Sequence, residues 1–281
     1  MTAKVLLVVV CGLALVLATV IALRWGSLRR EPPAPLPRDA TSKVVAARWL
    51  RTACIGVVGG AIAGVLVAGL GGRLVMRILA ATSGAGVQGI KTEAEEVVGE
   101  VTLGGTFFLV LFAGALGALL GVLFVAVRRW LPERAWFAGL VFGLVGIALV
   151  RPLQLLDPGS IDFDIVRPLA LAVPLLVAIP LFYGIVVASA VEGLDRRYPA
   201  LARRPRAIAA YLPLLLPFFA PPLGVGLLLL GAIALGLRRL GPVARMVSGS
   251  AVMWIGRAAM ALAALAGTAW VGLGAVEILT G

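Results

Sequence analysis

The residues of this chain able to carry chemistry are few and lie in the segments between long apolar runs. Glu93, Glu95, Glu96 and Glu100 precede one run, and Asp157, Asp162 and Asp164 follow another. Glu96 and Glu100 are four residues apart, as are Arg73 and Arg77, so each pair shares one side of a helix. A grouping of Glu96, Glu100, Asp162 and Asp164 offers oxygen ligands of the kind Ca²⁺ or Mg²⁺ takes, but no loop spacing resembles a known cage. Ion pairs with Arg73, Arg77 and Arg167 that tie the loops down account for the same residues. Arg151, with Gln154 three positions on, and the Arg73 and Arg77 pair could instead contact an anion such as a lipid headgroup. Snorkelling of Arg151 toward the headgroups explains that arginine without a ligand.

What is missing narrows the chemistry further. The chain has no His and no Asn, so Ser-His-Asp and Cys-His catalysis, His-ligated metals and N-glycosylation are excluded. The stretch Ser83-Gly84-Ala85-Gly86-Val87-Gln88-Gly89 is glycine-containing, but no strand pattern precedes it and Ile90 separates Gly89 from Lys91 and Thr92, so the Lys-Ser/Thr that completes a phosphate loop is out of register. Cys11 and Cys54 fall inside apolar runs and say nothing about redox compartment. The last run has no Lys for a retinal Schiff base. No catalytic, cofactor-binding or metal-ligating residue is assigned.

The elements that must position these residues are seven stretches without an Asp, Glu, Lys or Arg: residues 5–23, 52–72, 101–127, 135–150, 168–191, 207–237 and 258–276. A run of about 20 apolar residues matches a hydrocarbon core about 30 Å thick, so most read as membrane-spanning helices. With 61% hydrophobic and 14% charged residues in 281, the chain has too little polar surface for a soluble domain. Its net charge of +12 does not imply nucleic-acid binding, because the basic residues sit at the ends of the runs rather than on one face.

Those arginines set the topology. Lys4 stands alone before the first run, whereas Arg24, Arg29, Arg30, Arg38, Lys43, Arg48 and Arg51 follow it, which places the N-terminus outside. A cleavable signal peptide is the competing reading of the first run. Alternation then puts 73–100 and 151–167 outside, and 128–134 and 192–206 inside, in agreement with the charges. The run 207–237 contains Pro213, Pro217, Pro221 and Pro222, and proline breaks or kinks a helix. A single crossing would strand Arg238, Arg239 and Arg245 outside, so a re-entrant hairpin is favoured over a seventh span. The expected fold is an all-α polytopic bundle of six spanning helices plus this hairpin. Residues 1–23 form an N-terminal anchor, 24–47 a proline-rich cytoplasmic linker and 48–281 the bundle. The preference for Arg over Lys, with abundant Ala, Gly, Val and Leu, points to a bacterial plasma membrane.

Packing is legible in glycine spacing. Gly56, Gly60, Gly64, Ala68 and Gly72 recur every four residues and form one stripe, the small-residue mode by which membrane helices approach closely. Ala113, Gly117 and Gly121, then Ala135, Gly139 and Gly143, and finally Ala259, Ala263 and Gly267 are shorter versions. Pro168, Pro174 and Pro180 make the fifth run irregular. Arg-Trp-Leu at 48–50 and 129–131 hints at an internal repeat, although such residues are what any helix leaving a membrane shows. The favoured function is a non-catalytic scaffold or subunit of a membrane complex, with membrane lipids, anionic headgroups included, and a protein partner or second copy as its contacts. A secondary transporter or channel-like protein for a small solute or lipid, and an intramembrane enzyme on lipid-linked substrates, are the alternatives.

Overall fold

The computed structural model describes residues 3–31, 42–82, 103–150, 169–198, 211–215 and 250–280, together with positions 225 and 229. Its helices are α1 (Ala3–Trp25), α2 (Ser42–Ala63), α3 (Gly72–Thr82), α4 (Leu103–Val127), α5 (Ala135–Val150), α6 (Leu169–Asp195) and α7 (Ser250–Thr280). A π-helical segment, Gly64–Gly71, joins α2 to α3 without a break. No strand occurs among the described residues beyond one isolated bridge between Arg29 and Arg134. Hydrocarbon offers no partners to backbone N–H and C=O groups, so helices, which satisfy them internally, are the form these apolar runs take.

Among the described residues five helices are long and apolar enough to cross a membrane: Val5–Trp25, Val44–Thr82, Gly104–Val127, Leu169–Asp195 and Ser250–Gly274. Ala135–Leu149 is equally apolar but shorter. The protein is thus all-helical and built as a multi-pass membrane protein would be. Residues 207–237 lie outside the described residues except for 211–215 and the two single positions.

Side chains are sorted by size rather than polarity. Leu13, Leu23, Phe107, Phe108, Trp254 and Leu273 are each at least 64% exposed, while Ala18, Ala63, Ala118, Ala188 and Ala190 are wholly buried. In water such a surface would be an extended apolar patch. Against lipid it is an ordinary exterior, because hydrocarbon outside is as apolar as the interior and only close packing distinguishes the two.

That packing is backbone on backbone. A Cβ on Gly60 would lie 2.7 Å from the Gly121 Cα, and one on Gly117 2.8 Å from the Gly64 Cα. Gly56, Gly60 and Gly64 therefore meet Gly121, Gly117 and Ala113 in an antiparallel crossing of α2 and α4. A second crossing joins α5 to α6, where a Cβ on Gly143 would approach the Pro180 carbonyl to 2.7 Å and one on Gly184 the Gly143 nitrogen to 2.9 Å. α7 lays Gly267 against the Leu144 backbone and Gly256 against Trp130, so it runs in the same direction as α5.

The stripe does not continue as its four-residue spacing implies. Along the wider turn of the π-helix Gly69 meets Val110 on α4, while Ala68 lines a cavity together with Leu109 and Ala113. Beyond it, Gly71 meets Leu15 of α1, whereas a Cβ on Gly72 would touch nothing within 4 Å. A second departure follows: the helix does not end with its apolar run at Gly72 but carries Arg73 and Arg77 onward to Thr82. Arg73, expected in an outer loop, is buried at 8% exposure. α1, read from the sequence as an anchor, packs on the bundle with Cys11, Ala14 and Ala18 buried.

Adding a methyl group at the α2 and α4 crossing forces two helices apart, at a cost of about 1–3 kcal/mol. Gly60→Ala should lower the melting temperature of the detergent-solubilised protein, and Gly60→Leu should prevent folding. Gly12→Ala, whose Cβ would touch nothing within 4 Å, should be neutral or stabilising by about 0.4–1 kcal/mol. Equal melting of the two alanine variants would contradict the backbone contact.

Candidate functional site

Polar chemistry among the described residues collects at one end of the bundle, the basic face, where α1, α4 and α6 end and α2 and α5 begin. Its centre is Asp195 in the last turn of α6. The Arg51 Nη1 of α2 lies 2.6 Å from Asp195 Oδ1, and the Arg128 Nη1, just past α4, lies 3.1 Å from Oδ2. One carboxylate is thus shared by cations from two other helices. Arg51 also donates to the Asp195 carbonyl and, over 3.2 Å, to the Tyr198 carbonyl. One turn deeper, Glu192 is 5% exposed and lies 3.9 Å from the same Arg128 nitrogen. The i, i+3 spacing of Glu192 and Asp195 puts both acids on the side of α6 that faces α4.

Around this centre the connections are tied down. Arg30 donates to the Arg128 carbonyl through its side chain and to the Glu133 carbonyl through its backbone, the latter over 3.0 Å. Ala135 and Trp136 donate to the Leu28 and Gly26 carbonyls, so the short turns after α1 and before α5 form a strand-like pair. Arg196 donates to the Arg29 carbonyl at 3.0 Å and lies 3.7 Å from Glu31. Arg197 stacks 5.2 Å from the Trp25 ring, which packs directly on Gly193. Burial pulls the Arg30 guanidinium below its ordinary pKa range, and Glu192 draws it partly back. The Tyr198 hydroxyl, 3.0 Å from the Cys54 sulfur, is pushed up by burial and by that contact.

This geometry holds helices together rather than activating a nucleophile. Both Asp195 oxygens are engaged by arginines. Ser189 donates to Ile185 of its own helix, and Cys11 and Cys54 are buried. Among the described residues no three His, Cys, Asp or Glu side chains group as a metal would require.

A second feature lies along the bundle. α6 forms the floor and α4 and α5 the walls of a half-enclosed cavity of about 650 Å³, lined by Leu116, Leu120, Phe142, Leu176 and Pro180 among others. The Tyr183 hydroxyl there donates to the Gly117 carbonyl at 2.9 Å and so spans α6 and α4 beneath the cavity. Pro174 and Pro180 lie inside α6, and the helix continues through both.

Of the candidate site residues read from the sequence, Arg73 and Arg77 are placed on α3, with Arg73 buried and Arg77 partly so. Arg151, Gln154, Glu96, Glu100, Asp162 and Asp164 lie outside the described residues. The cluster of Arg51, Arg128, Glu192 and Asp195 was not anticipated, since its arginines read as topological signals. The signal that marks it is the placing of Glu192 and Asp195, the two acids in an otherwise basic segment.

Asp195→Asn leaves Arg51 and Arg128 without their shared anion. It should destabilise by about 1–3 kcal/mol, below the range for fully buried pairs because the site is about a quarter exposed. Thermal unfolding in detergent checks this, and the loss should exceed that of Glu31→Gln, whose carboxylate is 75% exposed.

Comparison with protein-family models, with curated proteins and with solved structures found no match to this chain.

Proposed function

We propose that this protein is a non-catalytic scaffold or subunit of a membrane complex, acting through helix packing and its two membrane faces. The observation that carries the reading is the interior: backbone-to-backbone crossings at Gly60 and Gly117 and at Gly143 and Gly184, beside a cavity lined by apolar side chains. A polar solute crossing a membrane needs a polar or hydrated path, and the described residues supply none. Relays of the kind that pumps use are likewise lacking there, since Glu192 and Asp195 are bound to arginines at the rim.

In this reading the host is a bacterial plasma membrane and the basic face is cytoplasmic, with six crossings and the N-terminus outside. α6 ends at the basic face, α7 starts there beside Trp130, and Leu214 packs on Val57, Ala118 and Val122. Residues 196–249 thus begin and end on one side, which supports an even number of crossings and the hairpin over a single span. A protein partner or a second copy is the proposed contact.

Affinity purification from native membranes should recover a stoichiometric protein partner. Purified protein that alone sustains solute flux in proteoliposomes would overturn the scaffold reading. A single accessible cysteine introduced as Gly281→Cys should react with an impermeant reagent from outside, and labelling only after permeabilisation would exclude the hairpin topology.

A further inference from the structure

We propose that the cavity between α4, α5 and α6 binds one acyl chain of an anionic phospholipid from the leaflet at the basic face, whose headgroup is held by Arg129 and Arg257. This rests on the membrane placement above and not on the scaffold role. The volume of about 650 Å³ falls within the roughly 300–1,000 Å³ of small-molecule sites. Its lining is apolar, and the hydroxyl of Tyr183 is already given to the Gly117 carbonyl. A polar occupant would therefore be desolvated without compensation, whereas an empty groove would forfeit dispersion contacts along its walls. Phe112 and Leu149, which line it, are 46% and 64% exposed, so the groove opens sideways to the bilayer.

Charge selects the headgroup. The lining reaches the basic face at Val127 of α4 and Met260 of α7. Arg129 follows Val127 by two residues, with its guanidinium 4.5 Å from the Trp130 ring centre. That ring packs on Gly256, the neighbour of Arg257, and Arg257 shares a helix face with Met260 at i, i+3. Two arginines and an interfacial tryptophan thus stand where a phosphate would sit when its chain enters the groove, and each basic side chain near a surface contributes about 1 kcal/mol toward an anionic lipid.

Gly146 supplies the test, since it lines the groove and its added Cβ would meet nothing within 4 Å. Gly146→Leu should fill the space without disturbing the helices. The full chain would be exchanged into vesicles of phosphatidylcholine containing phosphatidylglycerol, extracted, and its retained lipid read by native mass spectrometry, with thermal melting as the folding control. The parent should keep one phosphatidylglycerol through detergent washing, and Gly146→Leu should lose it while melting no lower. Arg257→Gln, an exposed position, should cut the preference for phosphatidylglycerol over phosphatidylcholine about fivefold. Equal retention by parent and Gly146→Leu, or no headgroup preference in the parent, would overturn the proposal. So would a parent that retains no lipid. None of these outcomes depends on a protein partner being found.

Discussion

Everything in this fold depends on how closely two helix backbones can approach. In water a bundle assembles because apolar faces leave the solvent, but a helix already in hydrocarbon gains nothing by exchanging lipid for protein. What remains is dispersion summed over many atom pairs, which falls off steeply with distance. The glycines of α2 and α4, and of α5 and α6, remove the side chains that would hold these helices apart. Alanine and valine make up much of the remaining interior, together with a few large side chains such as Phe124, Leu131 and Phe142. The Tyr183 bond to Gly117 is possible only because α4 and α6 are held close enough for a hydroxyl to reach a backbone carbonyl.

This explains which parts of the structure could be read from the sequence. The spans were legible because solvation by hydrocarbon dictates length and composition, and neither requires tertiary knowledge. The contact at Gly56, Gly60 and Gly64 was legible because small residues stand out in a row. Which face of α1 turns inward was not, since inside and outside are equally apolar and carry no alternation of polarity. The π-helical turn at Gly64–Gly71 was hidden for a different reason. Its backbone geometry has no residue signature, so a regular four-residue repeat was extended past the point where the helix changes pitch. Arg73 was misplaced by the same habit of ending a helix where charge begins.

The ion pairs show a further limit. Arginines at helix ends have a sufficient explanation in topology, and that explanation masks any second one. Asp195 and Glu192 reveal it, because acids set among arginines from other helices can pair with them. Asp195 does so with Arg51 and Arg128 and joins α2, α4 and α6 at one point. Among the described residues these ion pairs gather at the basic face, while the interior is held mainly by close packing, with the Tyr183 bond to Gly117 inside it.

The sharing of Asp195 also imposes an order of events on a chain made from its N-terminus. Arg51 and Arg128 emerge 144 and 67 residues before the carboxylate that will bind them. In the proposed topology these arginines act, until α6 is complete, as positive-inside signals for the helices on either side. Once Asp195 arrives, the same guanidinium groups become cross-links between helices already in place. Orientation and cohesion thus draw on the same charges at different times, and the acid comes late enough that the second use does not interfere with the first.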